Sequence, residues 1–178
     1  QGVGRLAGVL GLNNLIMFYD CNDIQLSTEC NEVMQEDTAA KHRAMNWNVI
    51  EINGSDVAQI RKALDTAKQE QERPTLIIGK TVMGKGALKA DGSSYEHNVK
   101  THGAPLGDGA YVNTIKHLGG NPENPFVIFD DVKKLYADRA EELKAIVAKR
   151  KAAEAELGRI EGELKQKLME LRGRAPAL

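Results

Sequence analysis

The sequence predicts an α/β fold, a partial doubly wound parallel sheet followed by a long C-terminal helix. Three apolar segments alternate with segments of helical periodicity, and this order of strand and helix is typical of doubly wound folds. The first apolar segment does not alternate between polar and apolar residues, which indicates a strand covered on both faces, as in a parallel sheet. The 178 residues suit one domain with a substantial core and are few for two domains.

The predicted elements follow in order from the amino terminus. The first twelve residues place apolar side chains at helical spacing, and the glycines among them weaken an isolated helix but would let it pack very close to another element. The next elements are a strand at 15–19, a short helix at 38–46, a strand at 47–52, a helix at 56–71 and a strand at 75–82. The helix at 56–71 carries an apolar stripe, so it is expected to cover the sheet.

The second half of the chain begins with a glycine-rich polar loop at 83–106, a length that is usually functional or disordered. A helix is expected at 109–118, and a long charged helix begins at residue 131 and reaches at least residue 158. This helix carries an apolar seam that consists of Leu135, Leu143, Ile146, Val147, Leu157, Ile160, Leu164 and Leu168. The seam predicts that the helix packs against its own domain or another one. A free-standing coiled coil is less favoured, because Gly158 and Gly162 interrupt the seam.

Composition excludes several classes of function. With 24 basic and 25 acidic residues the net charge is −1, which argues against nucleic-acid binding. The longest apolar run, at 15–19, is too short to cross a bilayer, and no secretory signal opens the chain. Cys21 and Cys30 form neither a disulfide framework nor a CxxC pair, so free thiols in a reducing cytoplasm are expected. The start at Gln1 indicates a fragment, a processed chain or a split gene.

Ligands of doubly wound sheets bind at the carboxyl ends of the strands, which here selects the loops after Tyr19, Ile52 and Val82. Asn22 offers a neutral oxygen just past the first strand. Together with backbone carbonyls and phosphate oxygens, such an oxygen suits Mg²⁺ or Ca²⁺. The spacing alone favours an ordinary asparagine in a turn over a metal ligand.

Two further segments could carry chemistry. The segment 79–86 has the glycine and lysine spacing of a Walker A loop, but Gly86 stands where that motif needs Ser or Thr, so this interpretation is rejected in favour of a turn. His102 precedes a glycine and is followed by Pro105, and such a histidine can donate to a phosphate or carry protons near neutral pH. Taken in isolation, a structural or incidental role is favoured for a loop histidine of this kind. The other three histidines lack metal-ligand spacing.

Taken together, these segments resemble the transketolases, in the same order from residue 6 to residue 106. The resemblance rests on Leu12-Asn13-Asn14-Leu15, Tyr19 to Ile24, Glu36-Asp37, Trp47, Asn53-Gly54, Pro74 to Ile77, Lys80 to Gly86 and His102-Gly103-Ala104-Pro105-Leu106. The last motif discriminates most, because deoxyxylulose phosphate synthases and two-oxoacid dehydrogenases share the fold but not that sequence. The resemblance implies a thiamine diphosphate-binding fold with a partial diphosphate-binding (PP) domain at 1–130, a helical extension at 131–172 and the start of an interdomain linker at 173–178.

The resemblance also implies a role for individual residues. Asn22 would bind the metal and approach the diphosphate of thiamine diphosphate, and the backbone oxygen of Ile24 would complete the metal shell. Leu26 and Met83 would line the cofactor. His102 would contact the diphosphate and reach toward the thiazolium and the donor substrate, which makes it the catalytic candidate.

The implied activity is the reversible transfer of a two-carbon ketol group from a ketose phosphate to an aldose phosphate, with Mg²⁺ or Ca²⁺, by a homodimer of the pentose phosphate pathway. The family's Gly-Asp-Gly metal motif and its later catalytic glutamate are absent, so the isolated chain is expected to be inactive. Gly2 stands in place of a glutamate, and Met45-Asn46-Trp47 in place of Tyr-Gly-Trp. A ketol transferase similar to dihydroxyacetone synthase and a non-catalytic interaction fragment remain alternatives.

Overall fold

The computed structural model describes residues 2–173, and the chain divides into two compact units between Pro125 and Phe126. Each unit is described by itself. The helices are α1 Gly2–Val9, α2 Thr38–Ala44, α3 Val57–Gln69, α4 Asp108–His117 and α5 Asp130–Gly173, and the strands are β1 Ile16–Cys21, β2 Asn48–Asn53 and β3 Thr75–Lys80. Short 3-10 turns lie at Cys30–Glu32 and Val99–Thr101. The predicted α/β fold with a parallel sheet and a long C-terminal helix is confirmed.

The three strands form one parallel sheet in the order β1-β3-β2. Thr75 pairs with the first residue of both neighbours, and Lys80 pairs with the last, Cys21 on one side and Asn53 on the other. The carboxyl ends of all three strands are therefore level. The loops that follow them leave the sheet at one edge, where parallel α/β sheets bind ligands.

One face of the sheet is covered by α1 and by Trp47, which is 3% exposed and packs with Ala7 and Leu76. The indole Nε1 donates to the carbonyl oxygen of Gly4 at 2.8 Å. A Cβ placed on Gly8 would lie only 1.8 Å from the Met45 carbonyl oxygen. The expectation that glycines let the first helix approach another element closely is therefore borne out.

The other face is covered by α3, which places Ala63 and Ala67 against Ile77. The helix begins after Asp56, whose carboxylate accepts hydrogen bonds from the backbone amides of Ala58 at 2.9 Å and Gln59 at 3.1 Å. This is an ordinary N-cap. Helices on both faces of a parallel sheet make the arrangement doubly wound.

Strand β1 departs from its prediction. Its apolar run indicates a strand covered on both faces, yet Met17 is 40% exposed and Phe18 is 44% exposed. The reason is position: β1 lies at one edge of the sheet, whereas β3 lies in the centre with Leu76 and Ile77 fully buried. An apolar run indicates that a segment tends to be buried. It does not indicate whether the residues that bury it belong to the same chain.

The second unit contains the 44-residue helix α5. It runs through Gly158 and Gly162, so the seam is not broken there by the backbone. Ion pairs three or four residues apart connect its turns, among them Arg150 with Glu154 at 2.9 Å. Along residues 2–173, no helix is both long enough and apolar enough to cross a bilayer. The expected linker at 173–178 lies outside the described residues except for Gly173.

Candidate functional site

The turn after β1 contains Asn22 and Ile24, the two predicted metal ligands. The Oδ1 of Asn22 accepts a hydrogen bond from the backbone amide of Ile24 at 3.0 Å. Between them, Asp23 has a φ of 65°, in the left-handed region that residues other than glycine rarely occupy. Ile24 is buried and forms an isolated antiparallel bridge with Glu29. The turn is thus a compact structure with a defined backbone path.

Side chains at the ends of β1 and β3 connect the two strands. Lys80 forms an ion pair with the carboxylate of Asp23, and the hydroxyl of Thr81 donates to the carboxylate of Asp20. The hydrogen bond that Lys80 donates to the Asp23 carboxylate raises the pKa of Lys80 above its ordinary value. The backbone amide of Thr81 also donates to the carbonyl oxygen of Cys21 at 3.1 Å. These contacts hold the two loops side by side as they leave the sheet.

The loop after β3 turns back through Gly84, which has a φ of +62°. A Cβ at this position would lie 2.9 Å from the Thr101 hydroxyl oxygen, so a side chain there meets both an unfavourable backbone conformation and a steric contact. Met83, the predicted cofactor-lining residue, is half-buried beside it, and its carbonyl oxygen accepts from the His97 amide at 2.8 Å. The glycine therefore brings Met83 and the loop before His102 together.

His102 follows the 3-10 turn Val99–Thr101, and its backbone amide donates to the carbonyl oxygen of Val99 at 3.0 Å. Its ring nitrogen Nδ1 is buried, and no atom of the described residues makes a hydrogen bond with it. A buried polar atom without a partner is costly, and most such atoms in folded proteins are paired. The unpaired nitrogen therefore predicts a hydrogen-bonding group beyond the described residues.

Leu26, the other predicted cofactor-lining residue, is 73% exposed. Its Cδ1 lies 3.8 Å from the position that a Cβ on Gly103 would take. The structure therefore brings the loop after β1 next to the loop of His102. Leu26, Met83 and His102 belong to loops that contact one another, while Asn22 and Ile24 lie in the turn that begins at the end of β1.

The donor set in the turn consists of an amide oxygen and backbone oxygens. An amide oxygen has two lone pairs, so Asn22 can accept the Ile24 amide and still bind a hard cation such as Mg²⁺. Within residues 2–173, no cluster of three or more His, Cys, Asp or Glu side chains could hold a metal ion. A metal here would be held by the Asn22 side chain and backbone oxygens together with oxygens of a ligand such as a phosphate, and not by a cluster of carboxylates in the described residues.

A cavity of about 600 Å³ lies elsewhere, lined by residues of α1, of α2 and of the segment just after α2, among them Arg5, Val9, Lys41 and Met45. It holds none of the five predicted site residues. It lies beside α1 and the C-terminal end of α2, whereas ligands of parallel sheets bind at the carboxyl edge. The site is therefore assigned by the loops and their side chains, and not by the size of this cavity.

Sequence reasoning missed the contacts that support the turn. The sequence motifs contain Asp20, Asp23, Lys80 and Thr81, but nothing in the spacing of these residues along the chain indicates which of them are partners. The signal that could have found them is the strand register. Because Cys21 and Lys80 are paired in a parallel sheet, the residues just beyond each must be neighbours.

Comparison with known proteins agrees with the geometry. The profile of the family described as transketolase, thiamine diphosphate binding domain, matches residues 2–176. Dihydroxyacetone synthase from Pichia angusta is 39% identical over 175 residues, which is 96% of this chain and 24% of that protein. Transketolase 2 from Xanthobacter flavus is 38% identical over 135 residues, 75% of this chain and 19% of that protein.

Solved structures give the same result. A transketolase from Pichia stipitis, crystallised in complex with sedoheptulose 7-phosphate, superposes with a TM-score of 0.82 at 29% identity, covering 99% of this chain and 26% of that one. The transketolase of Campylobacter jejuni has a TM-score of 0.68 at 34% identity, covering 75% of this chain and 20% of that one. The chain thus spans about a quarter or less of the length of these relatives.

Proposed function

This chain belongs to the transketolase thiamine diphosphate binding domain family, and we propose that it is part of an enzyme that transfers two-carbon ketol groups. The donor would be a ketose phosphate and the acceptor an aldose phosphate. The observation that carries the proposal is the carboxyl edge of the sheet. There the Asn22–Ile24 turn and the loop of His102, with its buried unpaired Nδ1, belong to segments in mutual contact.

The proposed role of each site residue follows from the chemistry of its side chain or backbone. The side-chain oxygen of Asn22 and the backbone oxygen of Ile24 would hold Mg²⁺, or Ca²⁺ in its place, because both are hard oxygen donors. Leu26 and Met83 would line the cofactor with apolar surface. His102 would donate a hydrogen bond to the diphosphate and, near the reacting centre, to the donor substrate.

Thiamine diphosphate, when bound, supplies the carbanion-stabilising chemistry of ketol transfer. The protein's part is to bind, orient and provide hydrogen bonds at fixed positions. A histidine nitrogen that is buried and has no hydrogen-bond partner among residues 2–173 can be oriented toward a ligand oxygen without first breaking a hydrogen bond to them. This is the property that a preorganised donor requires.

The rest of the proposal concerns the parent protein. We propose a homodimer in which the remaining domains and a second subunit complete the site, with sugar phosphates as substrates, in the cytoplasm and within the pentose phosphate pathway. The support is the match to a dihydroxyacetone synthase over 96% of this chain and to a transketolase structure over 99% of it, in each case over only about a quarter of the relative's length. For the same reason, the 178-residue chain alone is proposed to be inactive.

The test uses the complete enzyme with xylulose 5-phosphate and ribose 5-phosphate as substrates. His102→Ala should lower turnover by roughly 10²–10⁴-fold, the usual contribution of a positioned acid–base or hydrogen-bonding group. His117→Ala, at an exposed position on α4, is the matched control and should leave turnover unchanged. An unchanged rate for His102→Ala would remove this residue from the site, and turnover by the 178-residue chain alone would refute its inactivity.

A second candidate differs in the acceptor. The 39% identity to a dihydroxyacetone synthase over nearly the whole chain favours a related ketol transferase that uses another aldehyde. Assaying the complete enzyme with formaldehyde and with aldose phosphates separates the two. A preference for formaldehyde would favour the second candidate, and a preference for aldose phosphates the first.

A third candidate is a non-catalytic interaction fragment. It is motivated by the apolar side chains of α5, such as Leu143 at 45% and Leu164 at 59% exposure. Analytical ultracentrifugation of a chain truncated after Asp130 tests it. Loss of self-association relative to the full chain would favour this candidate, and an unchanged sedimentation profile would count against it.

A further inference from the structure

The backbone of Asp23 carries the geometry of the candidate metal turn. It separates Asn22 from Ile24, so its torsion angles decide how the Asn22 side chain and the Ile24 carbonyl are placed relative to each other. Its φ of 65° is unfavourable for a residue with a Cβ, although aspartate tolerates it better than most. A conformation of this kind persists only where surrounding contacts enforce it.

Two contacts enforce it, and both come from distant segments. The carboxylate of Asp23 forms an ion pair with Lys80, which lies 57 residues further along the chain at the end of β3. The carbonyl oxygen of Asp23 accepts a hydrogen bond from the amide of Cys30 at 2.8 Å. The residue is thus held on its side-chain end by the sheet and on its backbone end by the 3-10 turn.

The ion pair is exposed, with 57% of the Lys80 side chain and 44% of the Asp23 side chain accessible. Exposed ion pairs add little to folding stability because solvent and salt screen them. Its main effect should therefore be local. It ties the conformation of the turn to β3, the strand that leads into the loop of Met83.

We propose that Asp23 and Lys80 are positioning residues, whose ion pair holds the left-handed conformation of the turn and so preorganises the oxygens of Asn22 and Ile24 for a metal–diphosphate ligand. The inference rests on the proposed function, since it concerns the same site. Groups that orient ligands without touching the metal typically change affinity by 10–100-fold when they are removed. The predicted loss is thus in binding of the cofactor, and not in folding.

The experiment measures the apparent Kd of thiamine diphosphate at saturating Mg²⁺, and of Mg²⁺ at saturating thiamine diphosphate, by isothermal titration calorimetry on the complete enzyme. Lys80→Met and Asp23→Ala should each weaken binding by about 10-fold or more. Asp23→Gly should lose less binding affinity than Asp23→Ala, because glycine adopts a positive φ without an ion pair to hold it there. The charge exchange Asp23→Lys with Lys80→Asp should recover part of the affinity lost by either single change.

The matched control is Arg43→Met. It removes the ion pair between Arg43 and Glu51, whose nitrogen–oxygen distance is 2.6 Å and whose side chains are 52% and 59% exposed. This pair connects α2 to β2 and lies in neither candidate loop, so binding should not change. Melting temperatures recorded without cofactor show that each variant is folded, and turnover at saturating cofactor should fall by less than the affinity does.

The outcomes are distinguishable. If the unsubstituted enzyme binds no thiamine diphosphate, the proposed function and this inference both fail. If it binds while Lys80→Met, Asp23→Ala and Asp23→Gly bind equally well, only the inference fails. Suppose that Asp23→Gly binds the cofactor as weakly as Asp23→Ala does and that the charge exchange recovers no affinity. The ion pair then does not act through the conformation of the turn. That result would also overturn the inference. If Lys80→Met fails to fold, the difference in cofactor affinity between Asp23→Gly and Asp23→Ala is sufficient to support or overturn the inference.

Discussion

The unit that ends at Pro125 and helix α5 are stabilised in different ways. In the first, contacts join residues far apart in sequence: the indole of Trp47 donates to Gly4, 43 residues away, and Lys80 pairs with Asp23 across 57 residues. In α5, ion pairs span three or four residues, as between Arg150 and Glu154. The first unit is stabilised by close packing between elements that are distant in sequence, and the second by contacts between neighbouring turns of one helix.

The difference is clearest at two glycines that both lie in helices. Gly8, in α1, is covered by backbone, so that an added Cβ would lie 1.8 Å from the Met45 carbonyl oxygen. Gly158, in α5, has no neighbouring atom of residues 2–173 within 4 Å of the same position. The same residue type is required by packing in one helix and not required by any contact in the other. One substitution, glycine to alanine, should therefore have opposite effects in the two units.

Gly8→Ala should give the largest effect. The clash is with a main-chain carbonyl that cannot rotate away, so α1 must move off the sheet and lose part of its packing on Trp47. Overpacking of this kind costs about 1–3 kcal/mol and sometimes more. Urea denaturation followed by fluorescence of Trp47, the single tryptophan, measures it. Gly2→Ala in the same helix, with nothing within 4 Å, is the control and should cost far less.

Gly158→Ala should have a smaller effect of opposite sign. Alanine is favoured over glycine within a helix by about 1 kcal/mol, and here no neighbouring atom opposes it. Circular dichroism during thermal unfolding should show α5 melting at a higher temperature. A lower melting temperature would mean that Gly158 makes a close contact with another molecule, and the contrast with Gly8 would then disappear. Gly162→Ala, equally open, should behave in the same way.

The smallest effect concerns the N-cap of α3, a local contact within the first unit. Hydrogen bonds from the backbone and side chain of Gln59 lower the pKa of Asp56 below its ordinary value of 3.8. A lowered pKa means that the carboxylate stabilises the fold above pH 3.8 and that this contribution disappears as the pH falls through the lower, folded-state pKa.

Asp56→Asn keeps the capping oxygen but removes the titration. The variant should therefore unfold at a slightly lower temperature than the unsubstituted protein near neutral pH. The difference should shrink once the pH is below 3.8. A difference that does not change with pH would show that the charge of Asp56 plays no part in the cap.

The sequence predicted the order of elements and the parallel sheet because both depend on local pattern and on turn residues. The coverage of β1 was predicted wrongly, since exposure of Met17 and Phe18 depends on which elements lie beside an edge strand. The candidate site was predicted by resemblance, through Asn22 and His102. The partners of Asp23 could not be predicted from spacing, because they follow only from the register of β1 against β3.

The level ends of the strands have a consequence for changing this protein. Each strand has six residues, and the three run in step from first pair to last. An insertion of one residue inside β3 would turn every later side chain to the opposite face and carry Lys80 away from Asp23. Insertions beyond Lys80 leave that register intact. Variation in loop length beyond Lys80 can therefore alter the candidate site without disturbing the sheet, whereas a change in the number of residues within a strand would disrupt both.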